Sequence, residues 1–598
     1  MTGATIAVRF RLVFLIGLLA AFAGLAPATA APVGALADRY VAIQLQKDPT
    51  LAELGGLPGR EDLLPDISPA SIERLAAEER TLWLDVRRFT PDRLSLRDRR
   101  TFSVLREALA DDLALRSCRS ELWSLNHIFG WQIMLPNVAQ AQPVSKAPER
   151  AAALARWSSL PEYIAQDTAN LQRGLDLGYS VPKTVVRRVI AQLDALIDTP
   201  VDASPFSSPA RRSDDAKFRQ SMTEMVGSKV VPALREYRRF LSKIYLPRAR
   251  HTYGVSALPN GRECYRASLR AFTTLPISPE QVYASGERLV ARNEAELRVL
   301  GARLFGTSDL RVIAERLKTA PGNSISSPAD FLDYSRDHLA RNVAATRKVI
   351  ADYPRQDVVI EPLPVEVTTA QPPHYEPQPN PAKPGRYVLP LSEWREQDRG
   401  QTEVLSVHEA VPGHHVQLSI AFQRGGGEAL DKVAVNAAFT EGWARYSETL
   451  AEEIGLYETD FAKVRRRAWP GHGQVVDVGV HFGGWSRERA LAYLEANGQY
   501  DLTSAEAMLD RIAVLPGQLT AYDTGATEIF ALRSEARARL GPRFSLPRFH
   551  EAVLGEGTVP LVELRAHVRS WIRSEGRRST AAAGEHRRRV SIGPDLKP

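Results

Sequence analysis

Apolar residues recur at helical spacing through long stretches of this chain, and that period restricts the fold more than any other feature of the sequence. Val185, Val186, Val189, Ile190, Leu193 and Ile197 form one continuous stripe, and Val282, Leu289, Leu297, Leu300 and Leu304 mark another. Start signals agree with the period. Ser278-Pro279-Glu280-Gln281 places a serine where its oxygen can cap, a proline at the first helical position and a glutamine at the third, and Ser327-Pro328-Ala329-Asp330 repeats the logic. The expectation is a mainly α protein, one large helical body over residues 32–573, since no Gly/Ser linker or fixed-period repeat divides it.

One region breaks the pattern. Val358-Val359-Ile360 and Val365-Glu366-Val367-Thr368-Thr369 have β character, followed by a proline-rich loop through Pro372-Pro373 and Pro384-Gly385 into Arg386-Tyr387-Val388-Leu389. Proline cannot donate to a ladder, so a small sheet of short or edge strands is expected, with an edge to which an extended peptide can add.

The ends differ in character from the body. Arg9 and Arg11 precede an apolar run from Leu12 to Leu25 too short to span a bilayer, and Ala28-Thr29-Ala30 has the small-x-small form of a cleavage site. Residues 1–31 therefore read as a signal peptide and the mature chain as periplasmic or secreted. No cysteine follows the cleavage region, so a lipid or other stable membrane anchor is not expected. Residues 574–598 carry six Arg or Lys against three Asp or Glu and read as a disordered basic tail. Once both ends are set aside, little of the formal charge of +7 remains on the body, and nucleic acid is not an expected partner. Cys118 and Cys264 are the only cysteines. They can form one bridge in an oxidising compartment or stay as buried thiols, and any metal must be held by histidine and carboxylate.

Such ligands are concentrated in one place. Of twelve histidines, three fall in His408-Glu409-Ala410-Val411-Pro412-Gly413-His414-His415, and Thr440-Glu441-Gly442-Trp443-Ala444 follows about thirty residues later. In an ordinary H-E-x-x-H helix two histidines four apart grip one zinc ion while the glutamate beside the first reaches the water that the ion activates. Here the fourth position after His408 is Pro412. Proline removes an amide and clashes with the preceding turn, and Gly413 relaxes the backbone beside it. Together they accommodate a bulge of two extra residues, which carries His414 to the place of the second histidine. His415, seven after His408, lies roughly 10 Å further along a regular helix and is the less favoured ligand. Glu441, on a second helix over 433–450 that can lie antiparallel to the first, is the third candidate ligand. Glu448 and Glu452, on related faces, either support the ligands or are solvated. Glu409 is then the candidate general base.

Acyl transfer also wants a donor for the developing oxyanion. Asp477-Val478-Gly479-Val480-His481 and Pro516-Gly517-Gln518 leading to Tyr522 each offer one, so His481 and Tyr522 are candidates, and Asp477 with His481 is a possible but incomplete second metal pair.

HEAVPGHHVQL, TEGWARYSE, VDVGVHFGGWS and PGQLTAYDTG, in this order, resemble the bacterial family known as domain of unknown function 885, grouped with the zincin metallopeptidases. Gly261-Arg262-Glu263-Cys264-Tyr265 and Ser278-Pro279-Glu280-Gln281 extend the similarity over roughly residues 40–575. The resemblance implies a mostly helical, gluzincin-like fold with His408, His414 and Glu441 around zinc and Glu409 as base. It implies no substrate. The function expected is an exported zinc-dependent metallohydrolase, a peptidase acting on short peptides. The alternatives are hydrolysis of a non-peptide amide or ester, or a periplasmic binding protein that kept the scaffold and lost turnover.

Overall fold

The computed structural model describes residues 32–590, apart from 364–372, 379, 381, 425–427 and 435. The expected signal peptide and the expected strand at 365–369 lie outside the described residues. The described residues are 71% helix and 4% strand. Helices form where the apolar period and the caps coincide. Helix α1 (Lys183–Asp198) buries Val185, Val186, Val189 and Leu193, four of the six stripe residues, and packs Ile190 and Ile197 partly buried beside them. Helix α2 (Pro279–Phe305) begins with Ser278 and Gln281 in a reciprocal capping box and stops at Gly306, whose φ of 65° is left-handed. Helix α3 (Pro328–Thr346) starts on Ser327, whose side chain accepts from the Asp330 amide.

Among the described residues the sheet has three strands, β1 (Val358–Leu363), β2 (His374–Glu376) and β3 (Gly385–Pro390), in the order β1-β3-β2. β3 runs parallel to β1 and antiparallel to β2, with Tyr387 opposite both Ile360 and Tyr375. Tyr387 and Leu389 are fully buried, so the sheet is anchored through its central strand. β2 is an edge strand inside the proline-rich stretch.

Helices α4 (Arg399–Leu405), α5 (His414–Gln423), α6 (Ala437–Glu453), α7 (His472–His481), α8 (Thr520–Leu540) and α9 (Leu561–Val590) follow. Helix α9 runs to Val590, and the last eight residues of the expected tail lie outside the described residues. No described helix is long and apolar enough to cross a membrane.

Two large apolar clusters hold the body together. One gathers Leu122, Trp157, Val189, Tyr237, Val478 and Ile512, and the other Leu82, Leu105, Phe331, Trp443, Ile529 and Phe549. They meet at α8, where Ala521 is buried in the second and Tyr522 packs on the first. Cys118 and Cys264 are joined as a disulfide within the first cluster, so of the two expectations the bridge is the one realised.

Helices α6 and α8 cross at backbone contact. A Cβ on Gly442 would lie 2.5 Å from Gly525 Cα, and one on Gly525 would lie 1.9 Å from the Ala438 carbonyl oxygen. Only glycine fits at either position, and the close crossing brings Glu441 and Tyr522 to the same place.

Candidate metal centre

The motif helix is interrupted where its proline requires. After α4 the chain makes a π turn over Ser406–Ala410, with the Val411 amide bonded to the Ser406 carbonyl at 3.1 Å. The Gly413 amide then bonds the Val407 carbonyl at 3.0 Å, six residues back instead of four. The loop is thus wider by two residues, the distortion expected from Pro412 and Gly413. Glycine at 413 is obligatory, because a Cβ there would sit 1.9 Å from the His408 carbonyl oxygen. The Pro412 carbonyl, freed by the break, accepts from the Trp443 indole at 2.8 Å, which fixes α6 against the turn.

The geometry turns His408 and His414 towards each other, with ring centroids 5.0 Å apart and planes at 88°. Their Nε2 atoms lie 3.5 Å and 3.6 Å from the same oxygen, Oε2 of Glu441. One ligand atom from each of the three residues lies within 4.8 Å of the others, a spacing that could hold one metal ion. Two imidazole nitrogens and a carboxylate oxygen form the donor set that zinc accepts while leaving a position open. Both histidines are buried, and Glu441 is partly open to solvent.

Behind this set lies a second layer. His408 Nδ1 donates to Glu448 Oε1 at 2.8 Å, which directs Nε2 towards Glu441. Glu448 is gripped by Arg445, which donates to both its oxygens at 2.9 Å and 2.7 Å. Burial opposes the charge on His408, but hydrogen bonds to Glu441 and Glu448 prevail and push its pKa up to about 10. Burial would raise Glu441 and Glu448, yet their cationic neighbours hold both below the usual carboxylate range. Burial pushes His414 down. A cation at His408 Nε2 would therefore displace a proton.

Glu409 stands beside the set, with Oε2 at 4.0 Å from His414 Nε2, and accepts from the backbone amide of Tyr375 at 3.1 Å. That amide is on the edge of β2 not bonded to β3, so the sheet positions the candidate base. Tyr522 stacks on His408 at 6.5 Å between centroids. Its hydroxyl oxygen accepts from Gln518 at 3.2 Å and Arg511 at 3.4 Å, which leaves its own proton to donate elsewhere. Burial and the Glu441 charge raise its pKa, so the donor keeps its proton.

Three expectations require revision. His481 is not at the site. It is fully buried, accepts from the Val255 amide at 3.1 Å, donates to the Ile512 carbonyl at 2.8 Å and stacks on Tyr265 at 5.3 Å. Both ring nitrogens are occupied by backbone, and burial pushes its pKa down to about 3. Asp477 offers no second metal pair, because it accepts from Tyr265 at 2.7 Å and from the Gly517 amide at 3.0 Å. Glu452 does not support the ligands but pairs with Arg466 and Arg467.

His415 is structural, accepting from the Tyr375 hydroxyl at 3.0 Å and donating to the Gln356 carbonyl at 3.1 Å. Sequence reasoning missed Tyr375, which no pattern in a proline-rich loop singles out. It also missed Arg445, although the spacing Glu441, Arg445, Glu448 places all three on one helical face.

A helical body carrying a two-histidine, one-glutamate cluster behind an edge strand is the class that fold and site define. The chain belongs to the bacterial protein family of unknown function DUF885, whose model matches residues 49–568. No curated protein matches it. Among solved structures it is similar to a proposed lipoprotein from Colwellia psychrerythraea, with 24% identity and a TM-score of 0.81 over 91% of this chain and 100% of that one. It is also similar to a proposed lipoprotein of unknown function from Shewanella oneidensis, with 18% identity and a TM-score of 0.72 over 90% and 99% of the two chains.

Proposed function

We propose that the protein is an exported zinc-dependent hydrolase of amide bonds in short peptides, with a zincin-like active site. The observation that carries this reading is the approach of His408 Nε2 and His414 Nε2 to one Glu441 oxygen, with Glu409 alongside. Zinc bound by His408, His414 and Glu441 would supply Lewis acidity towards a substrate carbonyl and its attacking water. The chain's own residues account for the rest. Glu409, anchored by the Tyr375 amide, takes the proton from the water and returns it to the leaving amine. Tyr522 offers its hydroxyl proton to the developing oxyanion. Glu448 keeps His408 in the tautomer that presents Nε2. Among the described residues β2 is an edge strand next to Glu409, and a strand in that place suits an extended peptide backbone.

Export is supported by the apolar amino-terminal run and by the two structural relatives described as proposed lipoproteins. The intact Glu409 favours an active enzyme over a binding protein that has lost turnover. The test is a mass-spectrometric screen of short peptides and non-peptide esters with wild type and Glu409→Gln. Peptide cleavage by wild type, lost in Glu409→Gln with zinc retained, is expected. Full activity in Glu409→Gln would remove the mechanism, and cleavage of esters alone would move the substrate class.

A further inference from the structure

A cavity of about 760 Å³ opens between α2, α6, the helix Asp460–Ala468 and α8. Arg445, Glu448 and Asp523 line it, whereas His408, His414 and Glu441 do not, so it is separate from the candidate metal cluster and divided from it by the Arg445–Glu448 pair. Its volume is in the range of about 300–1,000 Å³ usual for small-molecule sites.

The charges around it are unevenly committed. Every carboxylate of the wall has a cationic partner. Glu452 takes Arg466 and Arg467, Glu296 takes Arg467 at 2.6 Å, Glu453 takes Arg533 at 2.5 Å, and Glu448 takes Arg445. Asp523 accepts from the Gly471 amide at 2.7 Å and lies 3.6 Å from Arg445 Nε, a buried donor that makes no hydrogen bond. Arg288 and Arg292, one turn apart on α2 at the exposed rim, make no ion pair among the described residues. Two guanidinium groups at helical i, i+4 spacing are neighbours and can fork a single carboxylate. Leu289 between them and Phe530 opposite give the cavity apolar surface for the remainder of a ligand.

We propose that this cavity binds a peptide-sized molecule through its terminal carboxylate, held by Arg288 and Arg292. The proposal goes beyond the hydrolase reading and does not depend on it, because none of the metal-cluster residues contributes to the cavity.

The test is calorimetric titration of the full mature chain, as purified and again after chelation, with N-acetyl-dialanine and with its carboxy-terminal amide. Binding of the acid in both preparations, with the amide at least about tenfold weaker, is expected. Arg288→Gln/Arg292→Gln should weaken the acid by at least about tenfold with an unchanged melting temperature, since both side chains are exposed. Arg288→Lys/Arg292→Lys, which keeps the charge and loses the fork, should fall between the two. No binding, equal binding of acid and amide, binding that vanishes on chelation, or full affinity in the glutamine double variant would each overturn the proposal.

Discussion

Replacing Glu448 by glutamine tests how the second layer supports the candidate metal centre. Glu448 is 2% exposed and uses both oxygens, accepting from His408 Nδ1 at 2.8 Å and from Arg445 at 2.9 Å and 2.7 Å. Glutamine preserves the shape but has one acceptor oxygen and no charge, so it cannot serve His408 and both Arg445 contacts together. Breaking a buried charge pair by removing one partner costs about 3–5 kcal/mol. Arg445 keeps Asp523 at 3.6 Å, which offsets part of that loss. A destabilisation of about 2 kcal/mol is therefore expected in the metal-free chain, read as a lower urea midpoint. Zinc affinity should fall by about 10–100-fold, because the partner that orients His408 is weakened while all three ligands remain. Competition against a chromophoric chelator measures this directly. Unchanged zinc affinity in Glu448→Gln would refute the argument that this carboxylate orients the histidine.

Three further outcomes follow from the packing. His415→Ala should retain zinc while losing about 1–3 kcal/mol of stability in denaturant melts, as its bonds to Tyr375 and Gln356 are removed, whereas His414→Ala should lose the ion. Gly525→Ala should cost about 1–3 kcal/mol or more, because its Cβ would meet the Ala438 carbonyl oxygen at 1.9 Å and separate α6 from α8; an unchanged urea midpoint would contradict the close crossing. Burial lowers His338, His472 and His550 from the ordinary 6.5 to about 4, so the unfolded chain binds protons in this interval that the folded one does not. Their contribution is present above pH 6.5 and lost as pH falls towards 4, so the difference in urea midpoint between wild type and His472→Gln should shrink across that window; a constant difference would contradict the shift.

Local signals in the sequence carried most of the helical fold and the grouping of His408, His414 and Glu441 in the candidate site. The capping box at Ser278 and the stripe on α1 are realised as read, because periodicity and caps act within a few residues of chain. Pro412 and Gly413 implied a distortion two residues wide, and the Gly413 amide reaches back six residues. His481 failed for a physical reason. Histidine beside an acidic residue has the same appearance in sequence whether it meets a ligand or two backbone groups, and the Val255 amide and Ile512 carbonyl that occupy it come from distant segments. Tyr375 was invisible because its role is played by a backbone amide, which every residue but proline possesses.

The most direct measurement is the metal content of the purified mature chain by mass spectrometry, alongside His408→Ala and Glu441→Ala. One zinc per chain in wild type, and loss in both variants with the helical circular dichroism unchanged, is the predicted result. A chain that takes up no zinc when supplied with it, or variants that hold it as tightly as wild type, would contradict the assignment of His408, His414 and Glu441 as its ligands.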